Sequence, residues 1–205
     1  MFALFGAYQM WYGVVLRRKI RMVNRTMEGE IQIIAKFKIG LNDLIAAQSL
    51  LITKSKFHKR NKLVASIMCT IILVIIKFTI IKVDWITMAI GAAALVFAIY
   101  KFIYQQAMIG STKRLAKDNP SIFNNEHTLT ISENGLLREI KNATNYIEWN
   151  EIKLVFEDDI RYIIYISDIE AAVLKKDPLN MSVEETRKYN QLLRSYFDQY
   201  NITLE

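Results

Sequence analysis

Two stretches of the chain run almost without polar interruption. Residues 63–76, LVASIMCTIILVII, carry no charge, and after Lys77 the apolar character resumes in FTII. Residues 63–81 therefore supply a helix close to the ~20 residues that a ~30 Å hydrocarbon core requires. Lys77 stands near one end, where its alkyl stem lies in the apolar zone while the ammonium reaches the headgroups. A second run, residues 85–104, reads WITMAIGAAALVFAIYKFIY and holds only Lys101 as a charge. Trp85 at one end and Tyr100 and Tyr104 at the other fall where an interfacial aromatic belt would. A core helix of a soluble protein would interleave polar residues every three or four positions, whereas these runs are apolar all round. The pattern predicts two transmembrane helices, and with only Lys82, Val83 and Asp84 between them they form an antiparallel hairpin. The small-residue patch Gly91–Ala94 is expected to pack inside that hairpin, with a dimer contact as the alternative.

The rest of the chain alternates differently. Within 28–62, EIQIIAKFKI (Glu30–Ile39) reads as a strand ended by Gly40. It is followed by an amphipathic helical stretch, LNDLIAAQSLLITKSKFHKR, with Asn42 or Asp43 as its cap. Residues 118–205 show short strands with turn punctuation at intervals of about eight residues: His127–Ile131, Leu136–Lys141, Tyr146–Trp149, Ile152–Glu157, Ile160–Ser167 and Ala171–Lys175. Asn134-Gly135 is expected to supply positive φ angles to the first hairpin turn. Ser182-Val183-Glu184-Glu185 is a capping box that opens a helix running to about Tyr200, whose Leu192, Leu193, Tyr196 and Phe197 give it an apolar face. The fold class is α+β: a two-helix transmembrane hairpin plus a small antiparallel β-barrel or sheet domain capped by a C-terminal helix.

Charge sharpens this division. The chain is 52% hydrophobic with a formal charge of +7, and its mean hydropathy of +0.14 is uncommon for a soluble domain. Before residue 63 there are twelve bases against three acids, a net +9, whereas from Asp118 onward nine bases face sixteen acids, a net −7. The C-terminal domain is thus acidic, and a nucleic-acid surface is not expected on it. Lys54, Lys56, Lys59, Arg60 and Lys62 precede the first span, and Lys101, Lys113, Arg114 and Lys117 follow the second, which puts both flanks on the cytoplasmic side. Residues 1–16, MFALFGAYQMWYGVVL, are short for a span, and their charges, Arg17, Arg18, Lys19 and Arg21, follow the apolar stretch instead of preceding it as in a cleaved signal. Three readings of segment 1–27 stand: a third span, an interfacial helix, or residues upstream of a start at Met22 or Met27.

A strand, a basic approach, a tight two-span hairpin, then EHTLTISENGLLREI, YIEWNEIKLVFEDD, YIIYIS, AAVLKKDPLNMSVEE and a terminal helix together resemble the YcxB-like membrane proteins. The match runs from about Glu28 to the end, and its most specific piece is the step Ile147, Trp149, Ile152. The resemblance implies that the C-terminal domain is similar to small bacterial pleckstrin-homology-like (PH-like) barrels. It also implies a multi-pass protein of the bacterial plasma membrane with its soluble parts cytoplasmic. It implies no catalytic residues. Lys175-Lys176-Asp177-Pro178 departs from the Ile-Pro-Lys that the family more often shows, so the loop before the last helix is expected to differ in shape.

Chemistry is sparse. Cys69, the single cysteine, lies in the first apolar run, so no internal disulfide or cysteine metal site can form. His58 and His127 each lack a companion ligand at metal spacing, and there is no phosphate loop or nucleophile elbow. Glu157, Asp158 and Asp159 read as a solvated turn in preference to a cation site. No catalytic residue, cofactor or metal is predicted. Trp149 is the candidate interaction residue; filling the core beside Ile147 and Ile152 is its competing role, since one aromatic without convergent polar partners does not define a pocket. The expected function is a non-enzymatic, membrane-anchored cytoplasmic interaction module. Its partners are the lipid bilayer and a cytoplasmic protein segment or a second copy of the chain, with no nucleic acid. The alternative is a bacterial immunity or envelope-stress membrane protein that protects against a toxin or bacteriocin. An intramembrane enzyme or transporter needs polar groups at the midplane, where the spans offer only Thr70, Thr87 and Cys69.

Overall fold

The computed structural model describes residues 33–79, 84–118, 125–141 and 143–205. Segment 1–27, with its three readings, and most of the loop between the apolar runs lie outside the described residues. The chain is α+β and divides into two compact units. Of the described residues, one comprises 33–40, 125–141, 143–166 and 172–205, and the other 41–79 and 84–118 together with the turn 167–171.

The helical unit starts with α1 (Leu41–Lys54), one residue ahead of the expected caps, and Asp43 is buried in its first turn at 3% exposure. The stretch expected as one helix breaks at Ser55, which caps the next: its Oγ accepts the His58 amide at 3.2 Å. From there α2 (Lys56–Thr79) runs for 24 residues, ~36 Å at 1.5 Å per residue. The second apolar run opens as α3 (Trp85–Ala98), passes through a π-helical turn at Ile99–Ile103 and continues as α4 (Tyr104–Asp118). The helix therefore extends fourteen residues past the expected end at Tyr104. Asp84 caps α3, its Oδ1 accepting the Thr87 amide (2.8 Å) and its Oδ2 the Thr87 hydroxyl (2.6 Å).

Aromatic and cationic side chains tie the hairpin at both ends. At one, the Lys77 ammonium sits 3.1 Å from the Trp85 ring centroid, with Phe78 edge-on to the same ring at 5.7 Å. At the other, His58 Nδ1 and the Tyr104 hydroxyl are 2.8 Å apart, and Lys62 Nζ lies 5.5 and 5.7 Å from the Tyr100 and Tyr104 rings. The Gly91–Ala94 patch does not pack inside the hairpin. A Cβ on Gly91 would meet no atom within 4 Å, and Ala93 and Ala94 are exposed. The second helix meets α2 through Val96 and the π turn instead, which leaves the small residues on an outward face.

In the other unit β1 (Ile33–Lys38), β2 (Glu126–Ser132), β3 (Gly135–Ile140) and β4 (Ala143–Glu148) form an antiparallel sheet in that order. Alternation decides the faces: Ala35 and Phe37 point inward while Ile34 and Lys38 are exposed. The β2–β3 turn differs from expectation. Asn134 does not adopt a positive φ; Gly135 does, at +156°, and a Cβ there would collide with the Ile147 carbonyl oxygen of β4. The glycine is needed for close strand approach as well as for its backbone angle. The next turn places Lys141 at φ +47°, so β4 starts at Ala143 and not Tyr146.

A 3₁₀ turn, Trp149–Glu151, leads into a second sheet ordered β7-β6-β5-β8, built from β5 (Leu154–Glu157), β6 (Arg161–Ser167), β7 (Glu170–Lys175) and the two-residue β8 (Thr203–Leu204). The short β8 adds parallel to β5. Between β7 and β8 stands α5 (Val183–Gln199), whose capping box forms as the sequence requires: Ser182 Oγ accepts the Glu185 amide (3.4 Å) and the Glu185 carboxylate accepts the Ser182 amide (2.7 Å). Tyr189, Leu193 and Phe197, at i, i+4 and i+8, are its fully buried stripe and join Leu129, Ile131, Val155, Ile164 and Leu174 in the core. The free edge of β1 is clasped from the loop before α5. Asn180 Oδ1 accepts the Lys36 amide (2.7 Å), Asn180 Nδ2 donates to the Ile34 carbonyl (2.9 Å), and the Leu179 amide donates to the Lys36 carbonyl (2.6 Å).

Candidate functional site

The residues singled out in the sequence take structural positions. Cys69 is half-buried within α2. The Thr70 hydroxyl donates to the Ser66 carbonyl at 2.9 Å and the Thr87 hydroxyl to its capping Asp84, so local bonds satisfy both. The acidic triplet splits up. Glu157 Oε1 accepts from Lys176 Nζ and Arg194 Nη2, both at 2.6 Å, and although burial pushes its pKa up, these two donors hold the carboxyl below its ordinary value. Asp158 organises the β5–β6 turn, accepting the Ile160 and Arg161 amides on Oδ1 and Arg161 Nε on Oδ2. Among the described residues no three His, Cys, Asp or Glu side chains gather as a metal site. His127, 5% exposed, stacks on Phe37 at 6.1 Å. Burial first, and the nearby Arg138 second, push its pKa down to about 4, so the imidazole is neutral at physiological pH.

Trp149 is not a surface residue. It is 1% exposed, because the 3₁₀ turn after β4 folds its indole under α5, where Nε1 donates to the Ser132 carbonyl at 3.0 Å. Its candidate interaction role gives way to that of an anchor, since a buried indole with its one donor bonded has nothing left to offer a partner. Of the three rings it anchors, Phe197 is buried, while Tyr196 is half-buried and Tyr200 exposed. Tyr196 stacks on the indole at 4.8 Å and 21°, Tyr200 at 6.0 Å and 26°, and Phe197 meets it edge-on at 6.1 Å. The Tyr200 hydroxyl then donates to the Glu133 carbonyl at 3.0 Å, tying the end of α5 to the β2–β3 turn.

Between that turn and the last two turns of α5 lies an open groove of about 470 Å³. Glu133 and Asn134 form one wall; Leu192, Ser195, Tyr196, Gln199 and Tyr200 form the other. The groove thus offers a carboxylate, two amides, a hydroxyl and two phenol rings on a rigid aromatic support, and its wall of α5 is the helix's carbonyl end, which bears partial negative charge. The helix's last turn contains no base, and Asp198 stands in it. The sequence signal available is the apolar pair Leu192 and Tyr196, which lies just off the buried stripe of α5. A second concavity, about 390 Å³, runs along α2 from Leu63 to Ile75 and is almost wholly apolar. Compared with family models, curated proteins and solved structures, the chain finds no match.

Proposed function

We propose that this chain is a membrane-anchored interaction module: the helical hairpin sits in the bilayer and fixes the two-sheet unit at the cytoplasmic surface, where it engages a protein partner. The observation that carries the reading is the hairpin's inverted surface. Each of its two long helices contains an 18-residue stretch of high hydropathy of which only 6% is buried. A core helix of a water-soluble protein hides such a stretch; here Ile67, Ile71, Ile75, Ile86, Ile90 and Phe97 are all exposed. The energetics agree with insertion. Ten Leu, Ile, Val or Phe residues between positions 63 and 79 contribute roughly −3 to −6 kcal/mol on an insertion scale, which exceeds the cost of an end-placed Lys77. The backbone needs no water, because both helices satisfy their own amides. The cationic flanks on both sides of the hairpin orient it with the two-sheet unit inside, and the expected relation to YcxB-like proteins with PH-like domains is consistent with that arrangement.

The test is topological. With Cys69 replaced by Ser, single cysteines at positions 60 and 184 should react with a membrane-impermeant maleimide only after the cells are opened, and the chain should stay in the pellet through an alkaline carbonate wash. Reaction of the two positions on opposite faces, or recovery of the chain in a detergent-free soluble fraction, overturns the reading. Photo-crosslinkers spread over the two-sheet unit should capture a cytoplasmic protein; capture of lipid alone removes the interaction role.

A further inference from the structure

We infer that the groove between the β2–β3 turn and the end of α5 takes the guanidinium of an arginine carried by a partner protein segment. The inference rests on the tethered-module reading and names the chemistry of its binding site. Four features converge on a planar cation. The lining contains one carboxylate, Glu133, and no base. The α5 wall is the negative end of the helix dipole, with Asp198 and no lysine or arginine in its last turn, the nearest base, Arg194, being paired with Glu157. That second feature is reinforced by the surroundings of the groove, since residues 118–205 carry a net −7 and the local field there favours a cationic segment.

The third feature is the aromatic support. Tyr196 and Tyr200 are held nearly parallel to the Trp149 indole, and the hydroxyl of Tyr200 is fixed by its bond to Glu133. Rings locked in this way lose little entropy when a cation settles against them, and Tyr200, 38% exposed, is open to solvent. The fourth is the spread of acceptors. The Glu133 carboxylate and the Asn134 and Gln199 amide oxygens are of the kind that satisfies the planar fork of five N–H donors on arginine. A lysine ammonium would use the charge but neither the plane nor the fork. A 470 Å³ groove holds a guanidinium and its alkyl stem with room for flanking backbone.

The experiment uses the full chain in phosphatidylcholine nanodiscs and fluorescence anisotropy of a labelled peptide alternating serine and arginine, beside lysine and glutamate counterparts. The arginine peptide should bind most tightly. Glu133→Lys, in an exposed turn, should weaken it at least about tenfold, while Asp159→Lys, the same charge change in the β5–β6 turn outside the groove lining, should change it less than about twofold. Tyr200→Leu should weaken binding about fivefold; because it also touches Trp149, the contrast between Glu133→Lys and Asp159→Lys is the deciding one. Equal losses from Glu133→Lys and Asp159→Lys, equal binding of the lysine or glutamate peptide, or competition by tetramethylammonium as effective as by guanidinium each overturn the assignment. So does an absence of peptide binding. If photo-crosslinking still captures a protein partner in that case, the tethered module stands and only the groove falls; if neither occurs, both fall.

Discussion

The two units of this chain solve the hydrophobic problem in opposite directions. In the two-sheet unit the large apolar and aromatic side chains converge, and Trp149, Tyr162, Tyr189 and Phe197 are sealed from solvent. In the helical unit the same kinds of side chain diverge: isoleucines and phenylalanines cover the outside of α2 and α3. The sheets carry outward charges such as Lys38 and Glu139, while the apolar stretch of α2 has a single charge near its end, and its neighbour Trp85 covers that ammonium. On the membrane-anchored reading, the comparison teaches that the medium, and not the composition alone, decides where a hydrophobic residue points. Water forces alternation with period two or a stripe on a helix; lipid imposes no stripe at all.

Substitutions can break this contrast. The largest effect is expected from Trp149→Ala, which removes an indole packed against three rings and leaves the Ser132 carbonyl without its donor. It should cost about 3–5 kcal/mol, read as a fall in the urea midpoint of the two-sheet unit's transition. Ile72→Arg comes next. Ile72 is 51% exposed, so on a water-facing helix the change would be almost neutral. In a bilayer it should cost roughly 3 kcal/mol of insertion free energy, measured by the membrane-integrated fraction in a glycosylation reporter. Insertion equal to that of the unmodified chain would sink the inverted-surface account.

Smaller effects sharpen the picture. His127 has its folded pKa depressed to about 4 from an ordinary 6.5. The unfolded state therefore binds more protons between these values, and the two-sheet unit should be most stable above pH 6.5 and lose stability as pH falls from 6.5 toward 4. His127→Gln should flatten that part of the profile of urea midpoint against pH. Ser182→Ala deletes the capping acceptor of α5 and should cost about 1 kcal/mol, seen as a modest decrease in melting temperature.

Legibility in the sequence follows the range of the determining interaction. The Ser182 capping box is readable because donor and acceptor lie three residues apart. The two long apolar helices are readable from composition alone. The break at Ser55 is hidden because the helical pattern continues across it, and the Asp84 cap is absorbed into an expected turn. At Asn134-Gly135 the local rule for two-residue turns is half right: Gly135 takes a positive φ and Asn134 does not. The demand on Gly135 comes from the Ile147 carbonyl, a strand away. Trp149 stands out by its type, but its partners Tyr196, Phe197 and Tyr200 come some fifty residues later. The groove they underpin joins position 133 to position 200, and no periodicity encodes such a pairing.

The Asn180 clasp on β1 carries a last consequence. A tether that confines many copies to one surface raises the rate at which they collide side by side, and a bare outermost strand would then seed cross-linked ribbons. The Asn180 carboxamide, offering one acceptor and one donor, and the Leu179 amide beside it together fill hydrogen-bonding sites that such a neighbour would need. Two loop residues thereby occupy the groups of Ile34 and Lys36 through which β1 would pair with a second copy.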